Sequence, residues 1–258
     1  MHIINNILYY IIMYLYLLLI IFIILLCIYF IYYNLNNSKL FKLSEKLKSI
    51  FNHTYYINLN HRIDRKNETV LELNKLNIKK YNRFEAIKHT DGHIGCGKSH
   101  IELLKLAINN KFPYIVIVED DIKFINYTNT LEKLNKIIKS NIKWDVILLG
   151  GYNNKPYKYI TDDYIQVYNC QTTTGYIVNN HYFKTLLNQW EKSVNNLIND
   201  SDSHPTNAID QSWKILQKKD TFLLLTPIEV IQRKSYSDIV NSNVNYENNM
   251  IISYDKFL

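Results

Sequence analysis

The run at residues 7–33 limits what this chain can become more than any other stretch, because it carries no charged side chain and is mostly Ile, Leu, Tyr and Phe. A helix rises ~1.5 Å per residue, so a bilayer core of ~30 Å needs roughly 20 residues; this run spans it with room to tilt. It is longer than the apolar core of a signal peptide, lacks a basic flank before it and shows no small-residue cleavage site. Those features read as a retained single-pass membrane anchor rather than a cleaved leader. Tyr9, Tyr10, Tyr32 and Tyr33 stand where interfacial aromatics belong. Lys39, Lys42, Lys46 and Lys48 after the span favour a cytoplasmic domain, whereas sequons at Asn36, Asn52, Asn67, Asn126 and Asn199 suit a lumenal one, so the side stays open.

The chain then divides into a short tail (1–6), the anchor (7–33), a stem (34–53), a domain (54–240) and a carboxyl-terminal tail (241–258) without readable chemistry. Leu40, Leu43, Leu47 and Ile50 give the stem helical spacing. Roughly 200 residues are ample for one core. The formal charge is +7, from 30 Lys+Arg against 23 Asp+Glu, but the lysines are scattered and no basic stripe forms. Nucleic acid is therefore not an expected partner. Cys27, Cys96 and Cys170 show no CxxC spacing and support neither a disulfide framework nor a zinc site.

Within the domain, residues 114–121 read Tyr-Ile-Val-Ile-Val-Glu-Asp-Asp. Four β-branched residues, Ile115 to Val118, are too few for a helix and predict a strand buried on both faces. Side chains alternate along a strand, so Glu119 and Asp121 leave one side and Asp120 the other. Two oxygen ligands one pleat repeat apart suit a hard divalent cation that also holds the phosphates of a nucleotide. A solvated acidic turn after a core strand gives the same octapeptide.

Taken in order, residues 55–59 predict a first strand, followed by a basic loop (Asn60-His61-Arg62-Ile63-Asp64-Arg65-Lys66) and a helix over 67–76. Arg62 and Arg65, at a strand's carboxyl end, are placed for a diphosphate or a uracil edge. A strand at 81–87 follows. Residues 92–99, Gly-His-Ile-Gly-Cys-Gly-Lys-Ser, satisfy G-x-x-x-x-G-K-[ST] and raise a second class of function, a P-loop NTPase or kinase with Lys98 on phosphates and Ser99 on Mg²⁺. Against it, the polar residues 88–91 separate the glycine from any strand. Further on, strands are predicted at 144–149 (ended by Gly150-Gly151), 164–168, 172–178 and 221–225, and helices at 131–138, 181–198 and from 208. Alternating strands and helices argue for one α/β layer domain.

Several segments together resemble glycosyltransferase family 25, which includes lipooligosaccharide and procollagen galactosyltransferases. They are residues 56–65 (Tyr-Ile-Asn-Leu-Asn-His-Arg-Ile-Asp-Arg), Arg83-Phe84-Glu85-Ala86, Ile94-Gly95-Cys96-Gly97-Lys98-Ser99-His100 and Val118-Glu119-Asp120-Asp121. Asp145 to Gly150, Gly175-Tyr176-Ile177-Val178, Ile209-Asp210 and Ser237-Asp238-Ile239 follow in family order; Asn60 and His61 replace the usual Asp and Arg.

The resemblance implies a single GT-A type fold, a Rossmann-like mixed sheet flanked by helices, and inverting transfer of galactose or glucose from a UDP-sugar. The acceptor would be a glycan, a lipid-linked sugar or a hydroxylysine-type protein site. It further implies Mn²⁺ or Mg²⁺ on Glu119 and Asp121, donor contacts from Asn58, Arg62, Arg65, Ser99, His100, Asp120 and Gly150, and an acceptor side at Gly175 and Tyr176. Asp210 is the expected base, with Asp238 as the alternative, and His100 a packed support. A catalytically inactive sugar-binding relative would carry the same motifs.

Overall fold

The computed structural model describes residues 2–37, 43–78, 80–251 and 254. By internal contacts the chain forms two units, residues 1–42 and 43–258. The first is helix α1 (His2–Asn37), within which Ile12–Ile31 has mean hydropathy 3.0 and exposed apolar side chains. By length and composition this helix can cross a bilayer, a test that a signal sequence also passes. Side chains of Tyr9, Tyr10, Tyr32 and Tyr33, and the stem residues 38–42, lie outside the described residues.

The second unit is built on eight strands: β1 (Thr54–Asn58), β2 (Tyr81–Glu85), β3 (Tyr114–Glu119), β4 (Val146–Leu148), β5 (Tyr157–Thr161), β6 (Tyr164–Val167), β7 (Gly175–Asn179) and β8 (Phe222–Leu225). They form one mixed sheet in the order β2-β1-β3-β7-β4-β8-β6-β5. β1 runs parallel to β2 and β3, β8 runs parallel to β4, and β7 is antiparallel to both β3 and β4. β6 is antiparallel to both β8 and β5, so six strands share a direction, with β6 reversed near one edge and β7 reversed at the centre. That reversal lays the start of β7 beside the end of β3, where Glu119 N–H donates to Thr174 O (2.9 Å). The single mixed α/β sheet flanked by helices that the sequence led one to expect is the one adopted.

β3 is buried on both faces, as its unbroken β-branched run demands. Ile115 and Ile117 join a core cluster with α4 (Gly92–Asn109) and α6 (Phe183–Asn199), while Val116 and Val118 are buried separately. Helix α3 (Ile63–Lys75) follows β1, and α5 (Tyr127–Lys139) precedes β4. Helix α3 begins four residues earlier than its apolar spacing suggested, so Arg65 sits in its first turn. Helix α2 (Glu45–Phe51) buries Leu47, Ile50 and Phe51 in this unit. Residues 45–51, read from spacing as stem, are therefore part of the globular body.

Residues 92–99 are the first two turns of α4, with Asp91 as the N-cap accepting from the amides of His93 (2.8 Å) and Ile94 (3.4 Å). A P-loop needs free amides in a loop leaving a strand; here they are spent on helix and cap. Ser99 Oγ donates to Gly95 O (2.8 Å) and accepts from Ile87 N (2.9 Å), and it is fully buried. Gly97 is the crossing point of the two helices, since a Cβ there would lie 2.5 Å from Val194 Cγ2. The nucleotide-loop reading of residues 92–99 is thereby overturned by helix geometry.

The carboxyl-terminal stretch is not a bare tail. Residues 242–244 pair antiparallel with residues 235–237, and Met250 is fully buried beside the short strand Val230–Gln232. Apolar Met250 and the alternation at 242–244 were too brief a pattern to stand out in sequence.

Candidate active site

The carboxyl ends of β1, β2 and β3 open into one cavity of about 860 Å³. Its wall includes Glu119, Asp120 and Asp121 from the end of β3, Arg65 from α3, and Cys96, Ser99 and His100 from α4. Thr172 and Thr173 before β7, Asp210, Gln232 and Asp238 complete that wall, and Val244, Tyr246 and Asn249 close it from the carboxyl-terminal stretch. In open α/β sheets ligands bind at this end of the strands, where loops carry chemistry on a fixed scaffold.

β3 ends at Glu119, and Asp120 and Asp121 form a turn. Strand alternation therefore no longer governs Asp121, and all three carboxylates reach the cavity wall. Their environments differ. Asp120 is a clamp: its Oδ2 accepts from Asn58 Nδ2 (2.7 Å) and its Oδ1 from Arg65 Nη1 (2.7 Å). Asn58 is held in turn by Arg83 Nε (3.0 Å). Glu119 Oε1 accepts from Thr173 Oγ1 (2.6 Å), and its Oε2 from Gln232 Nε2 (3.3 Å). Burial would raise the Glu119 carboxyl, but the His100 ring, the Thr173 hydroxyl and Arg65 hold it below its ordinary value.

Asp121 is the exposed nerve of the group. Its Oδ1 is buried without a hydrogen-bond partner, and its Oδ2 lies 3.6 Å from Arg65 Nη1. Burial first, then repulsion from Glu119, push its carboxyl up to about 7. Two part-buried carboxylates that repel, one with a buried oxygen left unpaired, supply oxygen donors of the kind a hard divalent cation takes. The residues present thus fit a cation on Glu119 and Asp121.

The two arginines are committed elsewhere. Arg65, 8% exposed, spends its guanidinium on Asp120, Ser235 and the Tyr236 carbonyl. Arg62 pairs with Asp64 (2.8 Å) and Asp238 (2.6 Å), bracing the loop after β1. Both act as internal counter-ions, for each faces a carboxylate from a distant loop. Besides Arg65 and His100, the wall carries His61, Lys88, His89, His93 and His204, the last two stacked at 4.9 Å. Sequence spacing had singled out none of these five.

Asp210 lies on the cavity wall at the start of a one-turn helix (Ile209–Ser212), and its Oδ2 accepts from Thr172 N (3.1 Å). Trp190 Nε1 donates to Ile209 O (3.1 Å) and so fixes that turn. Burial raises the Asp210 carboxyl, with Glu119 adding to the effect and the Thr172 amide opposing it. Asp238 is held below its ordinary value, burial being outweighed by Arg62 and His61.

Five expected contacts are off the wall: Asn58 and Arg62 are held in the bracing contacts described above, and Gly150, Gly175 and Tyr176 sit behind it. Gly150 packs against the strand that carries Gln232, since a Cβ there would lie 2.0 Å from Val230 O. Gly175 faces Ile122, Leu149 and Val118. Tyr176 is fully buried among His100, Trp190 and Trp213, and reaches the cavity only through His100 Nδ1, 2.6 Å from its hydroxyl. The apolar surroundings of these last three make them supports of the site in place of donor or acceptor contacts.

Residues 88–172 match the family model described as glycosyltransferase family 25 (LPS biosynthesis protein). A Haemophilus influenzae strain Rd protein named "Putative glycosyltransferase" is 34% identical over 115 residues. That match spans 36% of this chain and 40% of that protein. Among solved structures, a Drosophila β-1,4-galactosyltransferase 7 variant with manganese, UDP-Gal and xylobiose gives TM-score 0.34 at 12% identity, over 52% of this chain and 50% of that one. A glycosyltransferase involved in glycosylation of the PBCV-1 major capsid gives TM-score 0.36 at 8% identity, over 67% and 91%. At these scores neither structural likeness bears on fold or function here.

Proposed function

We propose that the chain is a member of glycosyltransferase family 25, whose model matches residues 88–172, and that its globular unit transfers a hexose, galactose or glucose, from a UDP-sugar to an acceptor hydroxyl with inversion. The acceptor is a glycan, a lipid-linked sugar or a hydroxylysine-type protein site, and α1 anchors the enzyme in a membrane. The observation that carries this reading is the paired carboxylate site of Glu119 and Asp121, opening into a cavity of about 860 Å³. That volume falls within the roughly 300–1,000 Å³ usual for small-molecule sites.

A divalent cation held by Glu119 and Asp121 would neutralise the charge that develops on the departing diphosphate. The chain's own groups do the rest. Thr173 and Gln232 fix the Glu119 carboxylate in one orientation, so no reorganisation is needed as charge develops. Asp120, Asn58 and Arg65 hold the turn that presents Asp121. Asp210 takes the acceptor proton during in-line attack; burial raises its carboxyl toward working pH, as a general base requires. Asp238, tied to Arg62 and His61, is the weaker choice.

The test is a donor screen on the full-length chain in detergent with Mn²⁺, scored by UDP release. Release from one UDP-hexose is expected, reduced by at least roughly 100-fold in Glu119→Ala and Asp121→Ala and kept in Lys98→Ala. Release that survives loss of both carboxylates, or that vanishes in Lys98→Ala, would overturn the proposal. UDP-sugar binding without release on any acceptor would point to an inactive sugar-binding relative.

A further inference from the structure

Helix α4 presents Cys96 and His100 one turn apart on the face that meets the end of β3. Residues four apart on a helix are neighbours, so the thiol and the imidazole converge. Cys96 Sγ, a His100 nitrogen and a Glu119 carboxylate oxygen all lie within 4.8 Å of one another. His100 is fully buried, yet its Nε2 has no hydrogen-bond partner and stands 3.4 Å from Glu119 Oε1. A buried ring nitrogen left unused beside a thiol and a carboxylate needs an explanation.

The geometry points to a three-ligand site for a borderline divalent cation of the zinc type, held by Cys96 Sγ, His100 Nε2 and Glu119 Oε1 and open to the cavity on its fourth side. Zinc bonds of ~2.0–2.1 Å to N and O place such ligands roughly 3.3 Å apart at tetrahedral angles, close to the 3.4 Å found between His100 and Glu119. A bond of ~2.3 Å to sulfur puts the thiolate roughly 3.6 Å from either, so the cysteine, within 4.8 Å of both, has at most about 1.2 Å to close. Thiolate with imidazole selects zinc over magnesium or manganese, which prefer oxygen.

The surroundings match those of a metal-bound histidine. Its other nitrogen, Nδ1, is 2.6 Å from the Tyr176 hydroxyl, an outer partner whose oxygen can accept from Nδ1–H in the tautomer that leaves Nε2 free to ligate. Glu119 Oε1 has its own outer partner in Thr173 Oγ1. The site shares Glu119 with the proposed donor cation and in that respect rests on the reading above. A zinc ion there occupies Oε1 and competes with Mn²⁺ for the carboxylate.

The experiment uses the full-length chain in detergent, stripped of metal and titrated with Co²⁺ and then with competing Zn²⁺. It is read by absorption and needs no activity. Expected are a thiolate-to-cobalt charge-transfer band and tetrahedral visible bands at one equivalent, both removed by Zn²⁺. Cys96→Ser should abolish the charge-transfer band and weaken Zn²⁺ by more than roughly 100-fold, and Tyr176→Phe by roughly 10–100-fold. Asp121→Asn, which strips the donor pair, should keep the band. A cobalt spectrum without thiolate character in the wild-type chain would overturn the proposal, whatever the variants do. So would a charge-transfer band that persists in Cys96→Ser, since it would come from Cys27 or Cys170.

Discussion

Arg65 is the residue whose loss tests the electrostatic design of the site most severely. Its Nη1 lies 2.7 Å from Asp120 and 3.6 Å from Asp121, and it is 8% exposed. Arg65→Met keeps most of the side-chain volume and removes the charge. Breaking a buried pair from one side costs about 3–5 kcal/mol, because the remaining carboxylate is left buried and uncompensated. Two carboxylates are stranded here, so the upper half of that range is expected near pH 8. The sign with pH follows from Asp121 and Asp120, both already raised chiefly by burial. A carboxyl raised above its unfolded value binds more protons folded than unfolded, so stability falls as pH climbs from about 4 through the folded value, about 7 for Asp121. Protonation as pH falls through that window relieves the stranded charges, and the cost of Arg65→Met should shrink by about half near pH 5. The assay is urea unfolding of residues 43–258, the compact unit, followed by the fluorescence of Trp144, Trp190 and Trp213. A loss under about 1 kcal/mol near pH 8, or one unchanged near pH 5, would refute the reasoning.

Other substitutions probe separate links. Gly150→Ala drives a methyl group to within 2.0 Å of Val230 O. Overpacking of about 1–3 kcal/mol should lower Tm by roughly 2–12 °C in calorimetry. Thr173→Val removes the hydroxyl that orients Glu119 while keeping its shape; Mn²⁺ affinity by titration calorimetry should fall roughly 10–100-fold with Tm little changed. Asp210→Asn should lower kcat by about 10²–10⁴-fold and remove the acidic limb of the pH–rate profile, with UDP binding retained. In the metal-free protein, Tm should rise on acidification from about pH 8 to about pH 6, the direction set by the raised Asp121 carboxyl, and excess Mn²⁺ should flatten that slope.

Much of the architecture was written in local pattern. The β-branched run of β3, the acids that end it and the amphipathic face of α4 each specify their element without help from distant residues. Positions legible from the family resemblance, such as Glu119, His100 and Asp210, do converge on one cavity. What was not legible depends on long-range partners. The spacing of Arg62 and Arg65 after β1 suits a diphosphate, yet their meeting with Asp238 and Asp120 is decided 176 and 55 residues away. The G-x-x-x-x-G-K-S match is a helix whose glycine answers Val194 of α6, a contact invisible in eight residues. Thr173 and Gln232, small polar residues in irregular segments, carry no periodic signal at all, although they hold the central carboxylate. Cys96 and His100 escaped a search for CxxC because their pairing is by helical turn.

The central claim is that Glu119 and Asp121 clasp the cation that lets a sugar leave its diphosphate. Anomalous diffraction from crystals soaked with Mn²⁺ and UDP measures this directly. A manganese peak bonded to oxygens of both Glu119 and Asp121, with the diphosphate on its open side, is the predicted result. A peak elsewhere in the cavity, or UDP bound with no metal on those oxygens, would contradict it.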